Sequence, residues 1–395
     1  MTAAMAVASA ASTIVAGDTL GRRWGGLPPT AGIVGTGVGA LLLPHLIGRA
    51  GRRRGLLTGY GVALAGAVLT SLASVVHDAA LTGFGLLAGM LLLGAGNAAG
   101  QLTRYLAGDL FPADQRGRAI ALVVLGSTVG AVGGPLLLPV SHRLADAIGV
   151  DARAGTFLLG AVAVLIALLA SLAAGAGPAR PVVAAMPVRA LLRQPAARGP
   201  LTAMAGAQVV MVAVMTAAPL DMHHHGSGLS AIGLVLSAHT LGMFAVAPLS
   251  GRLADRHGGG PVMLAGLCVA AGACAFAAGA AQAGDAPHGV IYFALGVAWN
   301  LAFVGGSTAL SHGADPEQRL ALEGAVDGVV WSIAAFAGAG STVLLGLGGF
   351  RLLGGIAAVI ALVAAVAVAS VDSGRTELQP VSRVAPAKSP RSRDG

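Results

Sequence analysis

Twelve long apolar runs follow one another along this chain, near 2–17, 28–47, 56–76, 82–108, 117–139, 156–176, 200–220, 229–249, 261–282, 288–311, 322–346 and 350–371. A helix of about 20 residues crosses a hydrocarbon core about 30 Å thick, and only helices or closed barrels pair all their backbone groups inside lipid. The alternating ten-residue segments of a barrel are absent. The expected fold is therefore an all-α membrane protein with twelve transmembrane spans. Only 10% of the residues are charged, against about 25% in a soluble globule, so a large soluble domain has no place here. The 61 glycines suit helices that approach one another backbone to backbone.

The formal charge of +8 does not point to nucleic acid, because the basic residues sit between apolar runs with no aromatic platform among them. They read as topology signals. Alternate connections collect eighteen of the 24 Lys and Arg on one side, five fall on the other, and Arg104 lies within a span. The positive-inside bias puts both termini in the cytoplasm and the protein in the cell (inner) membrane. Met1 to Gly17 lacks a basic n-region and reads as span 1, already under way at Met1, with its true start expected upstream. Cys268 and Cys274 share one span on different faces, which favours neither a disulfide nor a metal pair.

Gly177 to Pro200, rich in Pro and Arg, is the longest internal connection and divides the chain into two six-span halves. The expected organisation is a bundle over 1–176, a cytoplasmic linker over 177–200, a second bundle over 201–371 and a disordered basic tail over 372–395. Asn97 in span 4 and Asn300 in span 10 share an offset of 203 with Arg116 and Arg319, and Gly51 and Gly258 match at 207. A duplicated, pseudo-symmetric bundle has its substrate site near the midplane, between the halves.

The string Gly251-Arg252-Leu253-Ala254-Asp255-Arg256-His257-Gly258 resembles the cytoplasmic loop signature of the major facilitator superfamily. Its counterpart, Pro44 to Arg54, has Gly48 where the signature has Asp. The resemblance covers essentially the whole chain and implies a twelve-helix secondary transporter working by alternating access, as a monomer. It further implies a cytoplasmic gate in which Gly251, Asp255 and Arg256 form one loop, Asp255 meets a helix end of the other half, and Arg52 pairs with Asp109. The bland alternative is that the arginines near Gly51 only fix orientation. In span 5, Gly130-Ala-Val-Gly133-Gly134-Pro135 is similar to a signature of the family's drug/proton antiporter-type exporters, which makes Gly130, Gly134 and Pro135 gate candidates and favours efflux.

Polar groups in lipid are site candidates. Asn97, Gln101 and Arg104 form one stripe on span 4, and the resemblance places spans 1, 4, 7 and 10 around the cavity. Arg104 snorkelling to the membrane surface is the alternative. Met204, Met211 and Met215 lie on one face of span 7 with Gln208 beside them, either as an adaptable binding wall or as packing. Trp299 and Asn300 offer a stacking face and an amide, or a structural pairing. For proton coupling the candidates are His239 in span 8 and Asp327 in span 11, against a satisfied buried His and a helix-end acid. Asp18 and Asp221 lie at outer helix ends. The run Asp221-Met222-His223-His224-His225 lacks enforced metal geometry and reads as the cap of span 7, so no metal or cofactor is expected.

The expected function is proton-coupled export of small, largely apolar molecules. Import or facilitated passage of a small metabolite is the alternative. An intramembrane enzyme is disfavoured because Asp-rich metal motifs and a paired nucleophile are lacking, and a non-transporting receptor would show no flux. The expected partners are a small-molecule substrate, protons and the lipid bilayer, not nucleic acid.

Overall fold

The computed structural model describes residues 1–108, 116–173, 188–279, 285–313 and 319–377, and among them every regular element is helical. Spans 1 to 4 are α1 (Thr2–Leu20), α2 (Leu27–Ala50), α3 (Arg52–Ser74) and α4 (Ala79–Gly108). Span 5 runs through α5 (Arg116–Leu136) into α6 (Leu138–Ala147), and span 6 is α7 (Ala152–Ala173). A short α8 (Val188–Arg193) precedes α9 (Pro195–His224), which is span 7. Span 8 comprises α10 (Leu229–Ala245) and α11 (Ala247–His257), span 9 is α12 (Gly259–Gly279) and span 10 is α13 (Asp285–Gly313). Spans 11 and 12 form α14 (Arg319–Glu377), which folds back where Gly348 and Gly349 leave helical geometry.

The twelve spans expected from the apolar runs are therefore present, with local differences that have physical causes. Spans 5 and 8 are each broken, at Leu137 and Val246, just before Pro139 and Pro248. Proline removes an amide donor and crowds the preceding turn, so the helix restarts there. Span 7 starts at Pro195 rather than after 200, because proline at a helix's first position gives up a donor that would be unpaired anyway. The basic tail expected from 372 is helical as far as Glu377, and 378–395 lie outside the described residues.

Two turns repeat between the halves with the same backbone. Gly51 joins α2 to α3 at φ 84, ψ 161, and Gly258 joins α11 to α12 at φ 81, ψ 164. Such angles are essentially restricted to glycine, which explains why glycine stands at both corners. The packing repeats as well. A Cβ at Gly94 in span 4 would strike the carbonyl of Gly32 in span 2, and one at Gly96 would strike that of Gly59 in span 3. In the second half Gly296 of span 10 abuts the His239 carbonyl of span 8, and a Cβ at Gly266 of span 9 would lie 2.7 Å from the Ala298 carbonyl. Spans 4 and 10 are thus each clamped between two neighbours of their own half, at distances only glycine permits.

The outside of the bundle is apolar, with Phe84, Ile166, Leu234, Phe276 and Phe336 all more than half exposed, as contact with acyl chains requires. One end carries exposed arginines, among them Arg53, Arg54, Arg193, Arg252 and Arg256; it is called the basic end below, and the opposite end, where spans 1 and 7 finish, the distal end.

Candidate functional site

Among the described residues the two halves meet chiefly along three seams, toward the distal end. Spans 1 and 7 meet where Leu220 lies over Gly17 and Gly25. Spans 2 and 11 are tied by Thr342, whose Oγ1 accepts from the Gly26 amide at 2.9 Å and donates to the Arg23 carbonyl at 3.0 Å. Spans 5 and 8 meet where Gly233 rests on the Pro135 carbonyl, and the Ser237 hydroxyl donates to the Val132 carbonyl at 2.6 Å. Gly134 of the same segment faces the other way, onto span 1, where a Cβ would stand 2.9 Å from Ala3 Cα, and one at Gly130 would stand 2.7 Å from Thr2 Oγ1.

Just beneath these seams, at half depth, lies a cavity of about 230 Å³ bounded by spans 1, 2, 5, 7 and 8. Its wall includes Ala6, Ser9 and Thr13 of span 1, Pro29 and Ile33 of span 2, Pro135 of span 5, Met211, Met215 and Thr216 of span 7, and His239, Thr240 and Met243 of span 8. Two of its hydroxyls are already spent on their own helices: Thr13 donates to the Ser9 carbonyl at 2.8 Å and Thr240 to that of Leu236 at 2.9 Å. Hydroxyls tied back in this way leave the wall largely apolar. His239 is the titratable side chain on it. Its Nδ1 lies 2.9 Å from the Tyr292 carbonyl, an acceptor only, so Nδ1 carries the hydrogen. Nε2 is buried with no protein partner.

The residues singled out from sequence fall in several places. Met211, Met215, His239 and Pro135 reach the cavity wall. Met204 sits deeper within the second half, against Gly306. Gln208 is fully buried and accepts the Trp299 indole hydrogen bond at 2.6 Å, while Trp299 stacks on Phe303 with centroids 4.1 Å apart. Asn300 is buried within its half: its Oδ1 accepts from Ser250 at 2.5 Å and its Nδ2 donates to the Met243 carbonyl at 2.7 Å. Asn97 is buried in span 4. Gln101 and Arg104 lie on the same helix with their side chains outside the described residues, as is Asp109 altogether. Asp327 is exposed on span 11 and off the cavity wall. Arg52 is buried at the start of α3, whereas Asp255 and Arg256 are exposed near the end of α11, with Gly251 half-buried before them. Ser9, Thr13, Thr216 and Thr240 were not foreseen as wall residues; hydroxyls at helical spacing give no signal of which way they face.

Residues 200–392 match the family model described as Major Facilitator Superfamily. The chain is 30% identical over 382 residues to the MFS-type transporter YdeG of Bacillus subtilis (strain 168), covering 90% of this chain and 86% of that protein. It is 30% identical over 319 residues to the riboflavin transporter RfnT of Brucella anthropi, covering 79% and 77%. Among solved structures it is similar in fold to a bacterial homolog of the human lysosomal transporter Spinster in its inward-facing, unoccupied conformation, with a TM-score of 0.70, 13% identity and 95% of each chain covered. It is also similar to the xylose transporter XylE from E. coli in a partially occluded inward-open conformation, with a TM-score of 0.65, 13% identity and 92% and 94% covered.

Proposed function

The chain belongs to the Major Facilitator Superfamily and is a multi-pass secondary transporter, and from that premise we propose that it exports small, largely apolar molecules in exchange for protons. The observation that carries this reading is His239, whose buried Nε2 has no protein partner, on the wall of a largely apolar cavity at half depth. The bond from Nδ1 to the Tyr292 carbonyl fixes the ring, so a proton arriving from the cavity is taken at Nε2. The charged ring raises the cost of an apolar occupant beside it, and loss of the proton restores the apolar wall. Proton and substrate thereby compete for one volume, which is the requirement for exchange. The thioethers of Met211 and Met215 adapt to occupants of differing outline.

With both termini and the basic end taken as cytoplasmic, closure at the distal end makes this the inward-facing state. In this reading Gly130, Gly134 and Pro135 let span 5 repack against spans 1 and 8 as the halves rock. The cytoplasmic gate of Gly251, Asp255, Arg256, Arg52 and Asp109 closes in the opposite state, and the exposure of Asp255 here accords with that. In this reading Asn97, Gln101, Arg104, Met204, Gln208, Trp299 and Asn300 remain the candidates for substrate contact as the halves rock, although Gln208 and Asn300 are buried with partners of their own half in this state, and Asp327 is the alternative proton carrier. Import or facilitated passage of a small metabolite is the second reading, favoured by the likeness to RfnT, a riboflavin transporter.

The test is flux in proteoliposomes under an imposed pH gradient, screened over lipophilic cations, weak acids, sugars and riboflavin. Export coupled to inward proton movement is expected for a lipophilic solute, with His239→Gln losing the response to the gradient. Gradient-driven transport and pH dependence that survive in His239→Gln would overturn the relay, and uptake of riboflavin alone would replace the export reading.

A further inference from the structure

The cavity leaves unused the concentration of charge at the distal ends of spans 1 and 7. Asp18 and Arg22 come from the first half, and Asp221, His223 and His225 from the second. His223 Nε2 stands 3.4 Å from Asp18 Oδ2, and Arg22 donates to Asp221 Oδ1 at 3.4 Å; both contacts cross from one half to the other. His225 Nδ1 donates to the Asp221 backbone carbonyl at 2.8 Å and lies 3.6 Å from Asp221 Oδ2. The Asp221 side chain is 5% exposed, while those of His223 and His225 are 40% and 54% exposed, so water reaches the imidazoles and the carboxylate between them stays inside.

Among the described residues, the other charged or titratable groups facing this cluster are few. His288 of span 10 and His224 face Asp221 together with Arg22. His224 also faces Asp18, and its ring lies 6.0 Å from that of His223. Arg23 packs against Gly346 of span 11. With neutral imidazoles, Arg22 answers two carboxylates at this seam, and a proton on either His223 or His225 adds a cation facing one of them. A proton on His224 faces both carboxylates but also Arg22 and His223, so it changes little.

We propose that the distal seam is a second proton-binding site, separate from the cavity, in which protonation of His223 and His225 holds the distal end shut. This rests on the alternating-access reading given above, in which distal opening breaks the contacts across spans 1 and 7. His223 acts directly, because its carboxylate partner belongs to the other half. His225, whose Nδ1 hydrogen is held by the Asp221 carbonyl, takes its added proton at Nε2 and acts through its charge on the carboxylate that receives Arg22. Acid on the distal side therefore favours the distal-closed state, and high salt weakens the effect because the imidazoles are solvated. Solvated pairs of this kind shift a two-state ratio by about two- to five-fold each.

The experiment uses the full chain with Cys268→Ser and spin labels at His77→Cys and Gly228→Cys, exposed distal positions on opposite halves. Pulsed electron paramagnetic resonance reads the distance distribution between about pH 8 and about pH 5.5, which brackets imidazole titration. The expected result is a rise in the ratio of short-distance, closed to long-distance, open populations of about 4- to 25-fold on acidification, lost in the His223→Gln/His225→Gln variant and reduced in Asp18→Asn. A distribution indifferent to pH, or a response that survives in both variants, would overturn the proposal. A response lost only in His239→Gln would also overturn it, assigning the effect to the cavity. Proton-driven flux in proteoliposomes tests the cavity reading separately, so either idea can fail alone.

Discussion

Replacing Gly26 by Ala penalises one conformational state while leaving the fold of its own helix untouched. Gly26 has φ −76 and ψ −13, which any residue adopts without strain. Its added Cβ would stand 2.5 Å from the Gly338 carbonyl oxygen and 2.8 Å from Thr342 Oγ1, both across the seam from span 2. Carbonyl oxygens in a helix cannot retreat alone, so spans 2 and 11 have to part by roughly 1 Å. That separation loses two hydrogen bonds, from the Gly26 amide to Thr342 at 2.9 Å and from Thr342 to the Arg23 carbonyl at 3.0 Å. At about 1 kcal/mol each, the distal-closed state loses about 2 kcal/mol, or about 30-fold in its ratio to the open state. A closed-to-open ratio of about 99:1 would fall to about 3:1. The label pair at positions 77 and 228 reads this directly as growth of the long-distance population. An unchanged distribution accompanied by a lowered thermal midpoint would refute the reasoning, because it would make Gly26 necessary to span 2 itself and not to the seam.

Other outcomes follow from the same geometry. Gly258→Ala and Gly51→Ala each force an alanine into a left-handed backbone and are expected to cost about 1–3 kcal/mol, seen as an earlier thermal transition in detergent; equal stability would show that the two turns relax freely. Asn300→Leu leaves the Met243 carbonyl without its partner and the Ser250 hydroxyl with only its 3.2 Å bond to the Val246 carbonyl, and is expected to destabilise by about 1–3 kcal/mol, with Trp299 fluorescence reporting the loosened core; unchanged stability would argue that water replaces the amide. Asp255→Asn is expected to cut transport while membrane insertion and expression stay the same, and an unaltered flux rate would remove Asp255 from the gate.

What the sequence made legible was whatever depends on local chemistry. The apolar runs located the spans because lipid tolerates little else, and Gly51 and Gly258 marked the repeat because no other residue holds their angles. The cavity was only partly legible. Met211, Met215 and His239 were foreseen through the helical period or through rarity of type, yet the hydroxyls of Thr13 and Thr240 look alike whether they line a cavity or close on their own helix. Nor does sequence say whose partner a polar side chain is. Asn300 and Gln208 were candidates for substrate contact, and the structure joins the first to Ser250 and the second to Trp299, because these groups meet only once spans 7, 8 and 10 are packed. The seam between Asp18 and His223 joins residues of different halves, a distance that no periodicity measures.

The matched angles at Gly51 and Gly258 have a consequence for ancestry. After a gene fuses with its own copy, side chains on the two copies drift apart under different duties, but a backbone corner that only one amino acid can turn has nowhere to drift. A fusion of that kind would thus stay readable as a pair of dihedral values after the surrounding letters ceased to align.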